Sequence, residues 1–247
     1  MSGATRVGFV GLGNIGKPMA LRLASAPPEG GLELTVFDVA AEPLAELGAA
    51  GAKVAGSVAE LAGQVEVLCV MVRDDDQVRE VLGEALGTAQ AGLVVVVHST
   101  VAPLTPRQLE VTAARHDVRV LDAPVSGGAM GAAEGTLAIM VGGAEAAYDV
   151  ARPVLERMGT RVARAGDIGA GTKMKLARNM MHFTAFAAAT EAQRLAEAAG
   201  LDLVELGNIV RHTDAITGGP GAIMHRDTTA PLAADDFWHG VFTHVWA

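Results

Sequence analysis

Aromatic residues make up only 4% of the 247-residue chain, cysteine occurs once, and Lys+Arg total 19 against 28 Asp+Glu. Each shortage excludes something. The formal charge of −9 argues against nonspecific nucleic-acid binding, which needs a basic surface. A single cysteine, Cys69, cannot close an internal disulfide; set in the apolar run VLCVMV, it reads as a buried structural thiol in a reducing compartment. No run approaches the roughly 18 uncharged apolar residues of a membrane span. The opening MSGATRVGFV lacks a charged leader ahead of an apolar core and cleavage site, so the expectation is a soluble, cytoplasmic protein without membrane partners.

Small side chains are abundant instead: half the residues are hydrophobic, and 30 are glycine, well above the usual share of about 7%. With few aromatics, compact aliphatic residues must do the packing. A chain of this length buries roughly 70–75% of its unfolded surface, enough for one large domain or two modest ones.

Short β-rich runs alternate with Ala/Leu-rich stretches through the first two thirds. RVGFV (6–10), LTVFD (34–38), VLCVMV (67–72), LVVVV (93–97) and VRVLD (118–122) are nearly continuous apolar runs, as expected of parallel strands covered on both faces. TLAIMVGG (136–143) reads as a further strand. Residues 14–25, 41–48, 57–62, 75–86, 103–116 and 144–157 read as helices, several opened by Asp, Ser or Pro. The fold class is therefore α/β: a Rossmann-type, doubly wound, mostly parallel sheet. From Thr172 to Ala199 there is no Pro or Gly, which predicts one long helix. The expected division is a sheet domain over 1–165 and a helical domain over 166–247.

Gly11, Gly13 and Gly16 form G-x-G-x-x-G directly after RVGFV and at the start of the next helix. That context supplies a tight turn, backbone N–H groups close to a pyrophosphate, and a helix N-terminus that favours negative charge. Gly11, Gly13, Asn14, Ile15 and Gly16 are thus candidate contacts to a dinucleotide. Asp38 lies 22 residues beyond Gly16, at the end of the second strand. A carboxylate there accepts from the adenosine ribose and repels a 2′-phosphate, which favours NAD while leaving NADP possible. Met71, Val72 and Arg73 close the VLCVMV strand, and Ser99 and Thr100 follow LVVVV, at the sheet edge where open α/β folds bind ligands. Met71, Val72 and Thr100 are candidate cofactor contacts; a plain turn or capping role serves each equally well.

GFVGLGNIGKPMA (8–20), DAPVSGG (122–128) and GAGTKMKLARN (169–179), taken together, resemble the β-hydroxyacid dehydrogenase family, of the 3-hydroxyisobutyrate dehydrogenase and 6-phosphogluconate dehydrogenase type. The likeness spans essentially the whole chain. It implies a Rossmann domain, a long helix leading into an all-helical domain that dimerises, and reversible oxidation of a short 3-hydroxy carboxylate to its semialdehyde. It makes Lys175 the catalytic lysine and Asn179 its companion; at i and i+4 on one helix they share a face. It also makes Ser126, Gly127 and Gly128 the substrate-binding segment. Two residues without side chains let N–H groups approach a carboxylate, and the hydroxyl adds a donor. Asp122 and Pro124 are expected to shape the turn.

Hydride transfer from a C–H bond requires the hydroxyl to lose a proton, and reduction requires its return. A lysine does both only if its pKa falls from about 10.4 toward neutrality. Burial and the neighbouring Lys173 and Arg178 push that way. Lys173 is expected to point off the Lys175 face.

Two departures accompany the resemblance. Arg178 stands where the family commonly has the first of two asparagines. The family also continues beyond a segment like VFTHVWA to a second lysine, with no counterpart before Ala247, so the helical domain is expected to be incomplete and to expose an apolar face. The seven histidines show no clustered ligand spacing, and no metal is expected. Phe237, Trp238, His239 and Phe242 suit a dimer contact or core packing equally, and residues 211–224 are candidates for setting substrate choice. Asp74, Asp75 and Asp76 are expected to cap the helix that follows.

Competing readings are an NADPH-dependent reductase of glyoxylate, succinic semialdehyde or tartronate semialdehyde, an imine reductase, or a noncatalytic dinucleotide-binding paralogue. Asp38 argues against NADPH, and Lys175 against imine reduction.

Overall fold

The computed structural model describes residues 4–25 and 31–219. Elements run in the order β1 (Thr5–Val10), α1 (Gly16–Ala24), β2 (Leu32–Phe37), α2 (Ala41–Ala49), β3 (Lys53–Val54), α3 (Val58–Ala62), β4 (Val67–Val70), α4 (Asp75–Leu86) and β5 (Val94–Val97). They continue with α5 (Thr105–Ala113), β6 (Arg119–Asp122), β7 (Val125–Ser126), α6 (Gly128–Glu134), β8 (Ala138–Gly142), α7 (Glu145–Leu155), β9 (Arg161–Gly166), α8 (Ala170–Ala198) and α9 (Leu203–Thr217).

The sheet has the order β3-β2-β1-β4-β5-β6-β8-β7, with β9 also paired to β8. From β3 to β6 every pairing is parallel, whereas β8 runs antiparallel to β6 and β7. The run 3-2-1-4-5-6 is the dinucleotide-binding arrangement, with its crevice at the carboxyl ends of the strands where the order reverses.

The apolar runs become strands because both their faces are buried. Val94 and Val96 belong to one hydrophobic cluster with Val7, Phe9 and Leu121, while Val95 and Val97 belong to a second with Leu61, Leu68 and Val120. Alternate residues thus feed opposite cores, which leaves no polar position in the run.

The six apolar strands read from the sequence are present with ends shifted by at most two residues, and the long helix runs from Ala170 to Ala198. The short β3 and β7, the small helix α6 and the strand β9 carry no such pattern. β9, with the sequence RVARAG and no buried residue, forms only because β8 offers it a parallel edge.

The chain divides into two compact units, Met1–Ala177 and Arg178–Ala247, the division falling inside α8. In the second unit α9 is capped by Asp202, whose Oδ1 accepts the N–H groups of Val204 and Glu205 at 2.8 and 3.2 Å. Phe237, Trp238, His239 and Phe242, with His225 and His244, lie outside the described residues, as do residues 220–224 of the segment 211–224. Among the described residues no helix is long and apolar enough to cross a membrane.

Candidate active site

β1 ends in the glycine turn, and each glycine answers a different steric demand. Gly11 has φ +92°, and a Cβ there would run into the Met71 carbonyl. A Cβ on Gly16 would strike the Gly11 carbonyl, whereas nothing lies within 4 Å of the missing Cβ of Gly13. Two glycines therefore close the turn and the third leaves an open approach to backbone. No side chain caps α1 at Ile15, and no acidic residue occupies its first turn. The positive end of α1 is left for an external anion.

Asp38 stands directly after β2. Its Oδ2 accepts the Leu12 N–H at 2.5 Å and its Oδ1 the Ala40 N–H at 2.8 Å. Each carboxylate oxygen retains a further lone pair for a ribose hydroxyl. Beside it opens a cavity of about 360 Å³ lined by Gly11, Gly13, Asp38, Met71, Val72 and, from α4, Gln77 and Glu80. The open cradle at Gly13, the uncapped α1 terminus and this cavity together fit a dinucleotide.

The α4 residues in that wall escaped the sequence reading. α4 is capped by Asp74, which accepts the Gln77 N–H at 2.9 Å; Gln77 Oε1 in turn accepts the Arg73 N–H at 3.0 Å. That backbone bond and the neighbouring Arg73 guanidinium hold the Asp74 carboxyl below its ordinary value. Of the three expected caps only Asp74 serves. Asp75 instead accepts from the Thr105 hydroxyl and the Ala102 N–H, and Asp76 pairs with Arg79 at 3.1 Å on the surface.

Ser99 is buried and ties two loops together: its hydroxyl donates to the Val72 carbonyl at 2.8 Å and accepts the Val72 N–H at 2.9 Å. Thr100 is exposed. His98 is packed rather than solvated, its ring parallel to Phe9 and its Nδ1 2.9 Å from the Ala123 carbonyl. Burial pushes its pKa down to about 4. Cys69 is buried, and desolvation pushes its thiol up to about 12, so it is inert.

The DAPVSGG segment runs out of β6. Ser126 is half-buried at the end of β7, and Gly127 and Gly128, with φ +135° and +63°, are exposed. Open space surrounds the missing Cβ of Gly128. Asp122 corrects the sequence reading, in which it shaped the turn. Its buried carboxylate accepts the N–H groups of Gly169 and Thr172, at 2.7 and 2.6 Å, at the start of α8. Desolvation raises its pKa against the pull of those two bonds. One turn further on, Lys175 is buried, with 9% of its surface exposed, while Lys173 is exposed. Asn179 is half-buried on the same helix, its Oδ1 3.5 Å from Arg178 Nη1. Among the described residues no group of three or more His, Cys, Asp or Glu is placed to hold a metal ion.

A glycine turn, an uncapped helix and a carboxylate at the end of β2, set at the reversal of strand order, define a dinucleotide-binding α/β protein. Residues 6–166 match the family model described as the NAD binding domain of 6-phosphogluconate dehydrogenase. The chain is 48% identical over 243 residues to an uncharacterized oxidoreductase of Mycobacterium tuberculosis, covering 97% of this chain and 81% of that one. It is 35% identical over 221 residues to an NAD-dependent L-serine dehydrogenase of Pseudomonas aeruginosa, covering 88% and 72%. The solved structure of Mycobacterium tuberculosis 3-hydroxyisobutyrate dehydrogenase with L-serine superposes with a TM-score of 0.78 at 32% identity, covering 97% of this chain and 80% of that one. The chain belongs to the β-hydroxyacid dehydrogenase family, with a nucleotide domain of the 6-phosphogluconate dehydrogenase type. It is an oxidoreductase acting on hydroxyl groups, with a nicotinamide dinucleotide as cofactor.

Proposed function

We propose that this enzyme interconverts a short 3-hydroxy carboxylate, 3-hydroxyisobutyrate or a close analogue, with its semialdehyde, and prefers NAD to NADP. The observation that carries the reading is Lys175: an amine buried one turn inside α8, in the segment that resembles the family's catalytic one. NAD, when bound, supplies the hydride acceptor or donor.

The chain's own residues do the rest. In oxidation the Lys175 amine takes the hydroxyl proton as the C–H bond breaks; in reduction its ammonium returns that proton to the forming alkoxide. Asn179, four residues further along α8, orients the same oxygen without adding charge. The Ser126 hydroxyl and the backbone N–H groups of Gly127 and Gly128 hold the substrate carboxylate; both glycines have positive φ, and neither puts a side chain in the way. Gly11, Gly13, Asn14, Ile15 and Gly16 receive the pyrophosphate, Met71 and Val72 border the dinucleotide in the cavity at Asp38, and Thr100 meets the nicotinamide ribose. Asp38 accepts from the ribose, and its charge repels a 2′-phosphate.

The relatives' names cover more than one hydroxy acid, so the side chain on the substrate is for assay to decide. The enzyme works in the cytoplasm as a homodimer or higher homo-oligomer; the oligomer is supported by apolar side chains left exposed on α8 and α9, among them Met180, Phe183, Val204 and Ile216.

The test is absorbance of reduced cofactor with 3-hydroxyisobutyrate, 3-hydroxypropionate, L-serine and D-glycerate, each with NAD and with NADP. Turnover of a 3-hydroxy acid with NAD is expected. Cofactor binding without turnover of any of the four would refute the reading.

A further inference from the structure

Its own sequence gives α8 a poorly stabilised start. The first turn reads A-G-T-K with no acidic residue, and Lys173 and Lys175 bring positive charge to the positive end of the helix dipole. Gly169, just before it, has no side chain with which to cap the first N–H groups. The anion the helix lacks comes from 50 positions earlier in sequence. Asp122 closes β6 in register with Val97 of β5, and its two oxygens take the Gly169 and Thr172 N–H groups.

The fit leaves no slack. A Cβ on Gly171 would run into the Met140 carbonyl, and one on Gly142 would meet the Asp122 carboxylate and the Ala170 and Gly171 amides. Helix backbone therefore lies directly against the sheet, with the carboxylate sealed in the joint. Thr172, which is completely buried, and Lys175 are three residues apart, so they are neighbours on one face.

We propose that Asp122 is the positioning residue of the active lysine: its buried carboxylate fastens the first turn of α8 to the sheet and so sets where the Lys175 amine stands. The role of that amine rests on the function proposed above; the fastening does not. In this proposal Asp122 acts through Lys175 and not on substrate or cofactor. It acts because a catalytic group displaced by about 1 Å can lose some 10²-fold in rate.

Two variants separate this from a general role in folding. Asp122→Asn keeps one acceptor oxygen and turns an NH2 group toward the other amide. Thr172→Pro leaves the carboxylate in place and removes the Thr172 N–H, with its buried side-chain hydroxyl, inside the first turn of α8. Lysine acetylation is followed by mass spectrometry, with Lys173 as internal reference, alongside NAD affinity, kcat and KM. In both variants Lys175 is expected to label several-fold faster relative to Lys173, with NAD affinity unchanged and kcat lowered by about 10²-fold. Unchanged Lys175 labelling in both would overturn the proposal, as would loss of NAD binding in both, since Asp122 would then be a residue of the whole fold. If the unaltered enzyme turns over no hydroxy acid but the variants expose Lys175, the functional reading fails and the fastening stands.

Discussion

The carboxylate of Asp38 and the amide of Leu12 are joined by a 2.5 Å hydrogen bond that ties the end of β2 to the glycine turn. The residue expected to choose the cofactor therefore also shapes the loop that receives the pyrophosphate. Asp38→Ala is expected to lower the NAD to NADP ratio of kcat/KM and to cost about 1–3 kcal/mol of stability, because the Leu12 N–H loses its acceptor. Asp38→Asn, whose remaining oxygen can still accept from Leu12, should relax the cofactor preference with a smaller loss of stability. Steady-state kinetics with both cofactors and urea denaturation measure the two effects separately. Undiminished NAD selectivity in both variants would remove Asp38 from cofactor choice.

Lys175→Ala removes the proton carrier. Turnover is expected to fall by about 10²- to 10⁴-fold, the usual contribution of a positioned acid or base, while NAD affinity stays within a few-fold. Lys173→Ala, on the exposed side of the helix, should leave kcat near its original value. A Lys175→Ala enzyme with near-normal turnover would contradict the proposed mechanism.

His98 gives the fold an acid-sensitive component. Its pKa is about 4 in the folded protein against 6.5 for the ordinary imidazole. Between those values the unfolded chain takes up a proton that the folded chain refuses, so stability is full above pH 6.5 and falls as pH drops toward 4. The slope is at most about 1.4 kcal/mol per pH unit. In His98→Asn this component is absent. Denaturation curves from pH 7 to 4.5 should show the variant's stability changing less steeply than the parent's; parallel curves would mean His98 charges without cost in the fold.

Phe183 and Phe186 are exposed on α8, beside His182. If two copies cover this surface, the parent should elute with a mass at least twice 25.2 kDa and Phe183→Ser/Phe186→Ser should shift toward 25.2 kDa, as measured by light scattering. A parent that is already monomeric would dispose of the oligomer reading.

Some of the site was legible before any coordinates. Gly11 and Gly16 are demanded by backbone contacts inside one turn, and the long helix by an unbroken run of helix formers, so both leave local traces. Asp122 was misread because its partners, Gly169 and Thr172, lie 47 and 50 residues away, and no periodicity records such a bond. The same holds for Gln77 and Glu80. On α4 they look like solvated polar positions, and only the packing of α4 between α3 and α5 brings them to the wall of the cavity at Asp38.

Sequence alone determined the alternation of strand and helix and the glycine turn, because each follows from steric and burial rules that act over a few neighbouring residues; the lysine segment was legible there only through its resemblance to the family's. Tertiary structure decided which carboxylate caps the helix bearing Lys175 and which side chains wall the cavity. Those depend on strands and helices distant in the chain being brought within hydrogen-bond reach, where a buried donor must find whatever acceptor the fold presents.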